Sequence, residues 1–167
     1  MARRAHSARA VLLRPGPVRR RQAMKTSARN QLAGTVTAVR PGAVNDEVEL
    51  ALAGGTTLVA IVTHASAVAL DLKPRAAATA LIKASHVLLA TGLGSAKVSA
   101  RNRLHGTVCA VAPGAVNSEV TLELDGGGGA RIVAIVTEAS ARALGLAPGV
   151  EATALVKASD VILALPG

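Results

Sequence analysis

Ser27-Ala28-Arg29-Asn30-Gln31-Leu32 is followed, 72 residues later, by Ser99-Ala100-Arg101-Asn102-Arg103-Leu104. The correspondence continues along the chain. Gly34-Thr35-Val36 recurs as Gly106-Thr107-Val108, and Pro41-Gly42-Ala43-Val44-Asn45 as Pro113-Gly114-Ala115-Val116-Asn117. Past a glycine-rich insertion of two residues, Ala60-Ile61-Val62-Thr63 returns as Ala134-Ile135-Val136-Thr137. Ala80-Leu81-Ile82-Lys83-Ala84-Ser85 then returns as Ala154-Leu155-Val156-Lys157-Ala158-Ser159. An internal repeat decides architecture before any other signal, and this one predicts two copies of a unit of roughly 65 residues.

Each copy reads as β-rich. Leu32 to Val39 has strand composition, and Pro41-Gly42 ends it with turn chemistry. Val48, Leu50 and Leu52 then alternate with Glu47, Glu49 and Ala51, as do Val120, Leu122 and Leu124 with Glu119, Thr121 and Glu123. That period marks a half-buried strand. Gly54-Gly55 and Gly126 to Gly129 read as hairpin turns, and Leu58 to Val62 as a strand apolar on both faces. Thr63 and Thr137 suit the N-cap of short helices, His64 to Leu70 and Glu138 to Leu144. Ala78 to Lys83 and Val87 to Leu89 complete five short strands. The expected fold class is mainly β: two tandem OB-like five-stranded barrels, each with one short helix.

There is no Phe, Tyr or Trp, so the core must come from Val, Ile, Leu and Ala. Units this small bury too little surface to stand alone, and association is expected. The net charge of +9 is misleading. Residues 1–24 hold seven arginines and no acid, and removing those seven charges leaves +2. This segment lacks the apolar stretch of a secretory signal and reads as a disordered or untranslated leader. A nucleic-acid-binding arm is the functional alternative. No apolar run approaches the ~18 residues of a membrane span, so a cytoplasmic chain is expected. Cys109 is the only cysteine, which excludes an internal disulfide, and it is expected to be a small buried residue. His6, His64, His86 and His105 show no metal-ligand spacing.

Two polar clusters recur in both copies: Ser-Ala-Arg-Asn before the first strand and Lys-Ala-Ser between the last two. They supply hydroxyls, an amide, cations and turn N–H groups, and neither contains an acid. Donors without acceptors suit a fully ionised oxyanion, because hydrogen bonds to ionised groups are short and strong. They suit it better than phosphate, part of which keeps a proton at neutral pH. The bland alternatives are a chain-entry turn for Ser-Ala-Arg-Asn, a solvated β-turn for Lys-Ala-Ser, and simple capping for Thr63 and Thr137.

Taken in order, these motifs resemble the Mop domain over residues 25–91 and 97–165, with 92–96 as linker; two in one chain resemble the tandem-Mop molbindins. The resemblance implies an OB-like fold, homotrimers, and molybdate or tungstate sites at domain and subunit interfaces. It implies oxyanion contacts from Ser27, Arg29, Asn30, Lys83 and Ser85, and from Ser99, Arg101, Asn102, Lys157 and Ser159. It places a second kind of site near Ala43, Val44, Asn45, Thr63 and Ser66, with Ala115, Val116, Asn117, Thr137 and Ser140 as counterparts. The implied function is molybdate binding for storage and homeostasis, with no catalytic cofactor, no directly coordinated metal and no membrane partner. An OB-type nucleic-acid-binding protein is an alternative, weakened because such proteins stack bases on aromatic side chains. A molybdate-sensing regulatory module is another. No nucleophile–base pair or paired carboxylates stand out for an enzyme.

Overall fold

The computed structural model describes residues 24–126 and 128–166, so the expected leader lies outside it except for Met24. Unit one runs β1 (Asn30–Arg40), β2 (Asn45–Leu52), β3 (Thr57–Thr63), α1 (His64–Ala69), β4 (Ala77–Ile82) and β5 (Leu88–Ala90). Unit two repeats the series as β6 (Asn102–Ala112), β7 (Asn117–Leu124), β8 (Arg131–Thr137), α2 (Glu138–Ala143), β9 (Glu151–Val156) and β10 (Ile162–Ala164).

The strands follow the alternation. Along β2 every second residue from Asp46 is buried, and Val48 and Leu50 are fully so. The long strands β1 and β6 pair antiparallel on both sides, which binds each sheet together. Both carry a β-bulge, at Thr37 and at Cys109. Cys109 is exposed, not buried as expected, because it falls on the outer beat of β6 after buried Leu104, Gly106 and Val108, and its Sγ contacts the Thr121 carbonyl at 3.4 Å. Gly34 and Gly106 sit where β1 and β6 face the ends of β2 and β7. A Cβ at Gly106 would lie 2.3 Å from the Glu123 carbonyl oxygen.

The expected five strands per unit are present, but the last one is exchanged. The sheets run β10-β4-β1-β2-β3 and β5-β9-β6-β7-β8. These are two curled half-barrels, each completed by the other copy. Ile162 lies opposite Leu81 and Leu88 opposite Leu155, so the two exchanges use one register. The physical reason is equivalence: Leu88-Leu89-Ala90 and Ile162-Leu163-Ala164 offer the same apolar pattern to either β4 or β9. Short 3-10 turns at Ala84–His86 and Ala158–Asp160 carry the chain across the seam. Val87 and Val161, just past the crossings, are buried at 2% exposure. Leu50, Ile82, Leu122 and Ile132 belong to one continuous core made by both units. Its aliphatic side chains contribute roughly 1.5–3 kcal/mol each when fully buried.

Candidate oxyanion site

Asn30 opens β1, yet its side chain serves the other unit. Its amide donates to the carbonyls of Ile82 (3.3 Å) and Val133 (2.9 Å), and its Oδ1 accepts from the Val133 N–H at 2.6 Å. Asn102 does the same to β3, accepting from the Val59 N–H at 2.7 Å and donating to the Val59 carbonyl at 2.8 Å. Both amides are buried. β3 and β8 are the edge strands of their sheets, and an edge strand has N–H and C=O groups without strand partners. An asparagine amide, donor and acceptor side by side, mimics the missing strand.

The neighbouring arginines also reach across. Arg29 Nη1 lies 2.7 Å from Glu119 Oε2. Arg101 grips Glu47 with both terminal nitrogens, at 2.9 and 3.1 Å. The guanidinium side chains remain more than half exposed. Glu47 has a second cation: Arg40 approaches it at 2.8 Å and Glu49 at 2.5 Å. The Arg40 guanidinium is held more firmly protonated than usual, first by its hydrogen bond to Glu49. Unit two has Ala112 and Thr121 where unit one has Arg40 and Glu49, so its clasp is the Arg29–Glu119 pair.

Lys83 and Lys157 precede the crossover turns. In each turn the middle serine is exposed and the alanine before it buried, so Lys83, Ser85, Lys157 and Ser159 all face outward. The turns run close together across the seam, with His86 Nδ1 3.9 Å from Asp160 Oδ1. Asn30 lies opposite Ile82 and Asn102 opposite Val156, which brings each Ser-Ala-Arg-Asn beside the Lys-Ala-Ser of its own unit. The turn at 84–86 also packs on β8, and the turn at 158–160 on β3. Clusters some fifty residues apart in sequence thus converge within each unit at the seam, with Ser27 and Ser99 exposed beside them. Sequence reasoning missed Glu47 and Glu119, which bring a carboxylate to each donor cluster. Their recurrence at matching repeat positions was the available signal.

The second set of expected residues also comes together, but around the helix starts. The His64 N–H donates to the Val44 carbonyl and the Glu138 N–H to the Val116 carbonyl, both at 2.9 Å. Asn45 lies opposite Thr63 and Asn117 opposite Thr137. Thr63 and Thr137 accept from the N–H groups of Ser66 and Ser140, each at 3.1 Å. Their hydroxyls are therefore engaged in capping. Ala43 and Ala115 sit in the exposed turns, and Val44 and Val116 are 72% exposed. Behind these turns the copies differ: buried Asp46 meets His64 at 3.0 Å, whereas buried Ser118 bonds Glu138.

A cleft of about 350 Å³ lies elsewhere, beside Gly92, His105, Asp125 and Glu151. Its two carboxylates repel an oxyanion. Among the described residues no group of three or more His, Cys, Asp or Glu could hold a metal ion. No helix among them is long and apolar enough to cross a membrane.

The TOBE domain model matches this chain twice, at residues 26–89 and 98–163. The chain is 54% identical over 143 residues to the molybdenum-pterin-binding protein MopA of Rhodobacter capsulatus, covering 86% of this chain and 53% of that protein. It is 48% identical over 144 residues to the molybdenum transport protein ModE of Azotobacter vinelandii, covering 86% and 52%. It therefore spans about half the length of these curated relatives. Among solved structures it is similar to the cytoplasmic molybdate-binding protein ModG with molybdate bound. That match has a TM-score of 0.82 and 49% identity, over 86% of this chain and all of the other.

Proposed function

With two TOBE domains in tandem, the chain belongs to the TOBE-domain family, and we propose that it binds molybdate as an intact oxyanion for intracellular storage and homeostasis. The observation that carries this reading is the convergence of exposed Ser27, Lys83 and Ser85, and of Ser99, Lys157 and Ser159, on the seam between units. Each group combines a cation with hydroxyl donors, and ionised acceptors roughly double the strength of such bonds. Likeness to ModG over that protein's whole length supports the same reading. Arg29 and Arg101 supply further positive charge. Asn30 and Asn102 take part by fixing the strand ends, since both N–H donors of Asn30 are already used. The Ala43-Val44-Asn45 and Ala115-Val116-Asn117 turns, with the capped starts of α1 and α2, form a second class of contact. There the anion would meet turn N–H groups and the exposed faces of the capping hydroxyls. Tungstate, of the same shape and charge, fits both classes. The protein acts without catalysis, in the cytoplasm.

The same reading includes a homotrimer, with sites completed at subunit interfaces. Leu88 and Ile162, on the exchanged edge strands, are 64% exposed, and their burial against another copy would favour such an assembly. Elemental analysis after molybdate loading, with sulfate as competitor, tests the ligand. Retained molybdenum that sulfate does not displace supports it; equal displacement by sulfate refutes it. Light scattering tests the assembly, and a species of 16.7 kDa, the mass of one chain, refutes the trimer.

A further inference from the structure

Each arginine of the proposed anion sites already holds an anion, a carboxylate of the other unit. We propose that Glu119 and Glu47 are resident counter-ions which an incoming oxyanion displaces from Arg29 and Arg101, and that Arg40 makes Arg101 the easier of the two to release. The inference rests on the molybdate-binding reading of these sites.

The clasps are built for exchange. Arg29 and Arg101 are 60% and 56% exposed in their side chains, so their ion pairs stand in a strongly screening medium. Such pairs contribute little, about 0–1 kcal/mol. A dianion flanked by Lys83 and Ser85, or by Lys157 and Ser159, offers each guanidinium a more highly charged partner. What differs between the sites is the fate of the displaced carboxylate. Among the described residues Glu119 has Arg29 alone, and its side chain is one-third exposed. Once released it stays unpaired beside the bound dianion and repels it. Glu47 is more buried, but Arg40 stays on it at 2.8 Å after Arg101 turns away. Arg101 does hold its glutamate with two contacts against one for Arg29, which opposes release. In an exposed pair the extra contact is a small term, whereas the unpaired Glu119 persists as long as the oxyanion is bound. The Arg101 site is therefore the tighter one.

A titration of the full chain with sodium molybdate, followed by amide ¹H–¹⁵N NMR, reads each site through its own signals: Ala28 and Ser85 for one, Ala100 and Ser159 for the other. The parent should show tighter binding at Ala100 and Ser159. Glu119→Gln should tighten the Arg29 site about two- to fivefold, the equivalent of one surface ion pair. Arg40→Ala should weaken the Arg101 site by about the same factor and leave the other unchanged. Unaltered melting of both variants keeps the comparison clean, and both are surface changes. Weaker binding in Glu119→Gln means that the glutamate positions Arg29 for the ligand, and it overturns the inference. An indifferent Arg40→Ala, or equal affinity at the two sites of the parent, does the same. Those failures leave molybdate binding intact. A parent chain whose signals do not move with molybdate removes the proposed function itself, and the inference with it.

Discussion

Replacing Asn102 with alanine should destabilise the protein by several kcal/mol without any ligand present. The amide holds the N–H and C=O of Val59, and both residues are buried, at 1% and 8% exposure. Removing it orphans two backbone groups, each of which costs about 1–3 kcal/mol when left unsatisfied. The expected loss is therefore about 2–6 kcal/mol, a large share of the ~5–15 kcal/mol that separates native from unfolded chains. Thermal melting, at roughly 2–4 °C per kcal/mol for a chain of this size, should show it clearly. Asn30→Ala should cost less, because Val133 is only half-buried and water can reach it. Asn102→Asp sharpens the test. It keeps an acceptor for the Val59 N–H but sets a carboxylate against the Val59 carbonyl. Burial raises that carboxyl above its ordinary value of about 3.9 in the folded chain only. The folded state then binds the extra proton, so stability falls as pH rises from about 4 towards neutrality. Asn102→Asp should lie nearer the parent at about pH 4 than at pH 7, and Asn102→Ala should show no such trend. If both variants melt with the ligand-free parent, the amide is not a structural clasp and the account of the seam is wrong.

Lys83→Ala and Lys157→Ala should each weaken molybdate binding by about 1.5–3 kcal/mol at the affected site, and Ser85→Ala and Ser159→Ala by about 0.5–1.5. Isothermal titration against molybdate, sulfate and phosphate measures this, and parental affinity in the lysine variants reduces Lys-Ala-Ser to a turn. A chain ending at Ser95 should not fold as a monomer, because the strand that completes its sheet is Ile162–Ala164. Light scattering should find it unfolded or associated through exchange with a second copy; a folded monomer refutes the dependence. Gly106→Ala should lower the melting temperature markedly, since the new Cβ meets backbone at 2.3 Å, and a neutral result would refute that contact.

The strands, the helix caps and the two units could be read from the chain because each rests on local chemistry. Val48-Leu50-Leu52 alternates whatever its partner, and Thr63 caps through a residue three positions on. The exchange of β5 and β10 could not, because the two copies present interchangeable strands. The polar residues divide the same way. Arg, Asn, Lys and Ser were recognised as donors, and the register does gather them. That Asn30 and Asn102 apply their amides to the opposite edge strand depends on contacts 103 and 43 residues distant in sequence. Glu47 and Glu119 read only as the polar beat of a strand, since nothing local reveals the arginine each one meets. Cys109 departs from its expected burial because the small size of a cysteine assigns no face; it stands on the outer beat of the β6 alternation, next to buried Val108.

Strand exchange also imposes a timetable on synthesis. β4 leaves the ribosome early with its neighbours β1 to β3, but β10, which closes their sheet, is encoded about eighty residues later. At ~5–20 residues per second that gap lasts roughly 4–16 s. During it the flank of β4 stands open beside a free β5 that matches it in pattern. The nascent first unit can touch its own β5 only in a fleeting arrangement that does not fold it, or it can capture the β5 of a neighbouring chain on the same message. Wrong partnering is thus a hazard written into the duplication itself, and the second copy serves to resolve what the first leaves unfinished.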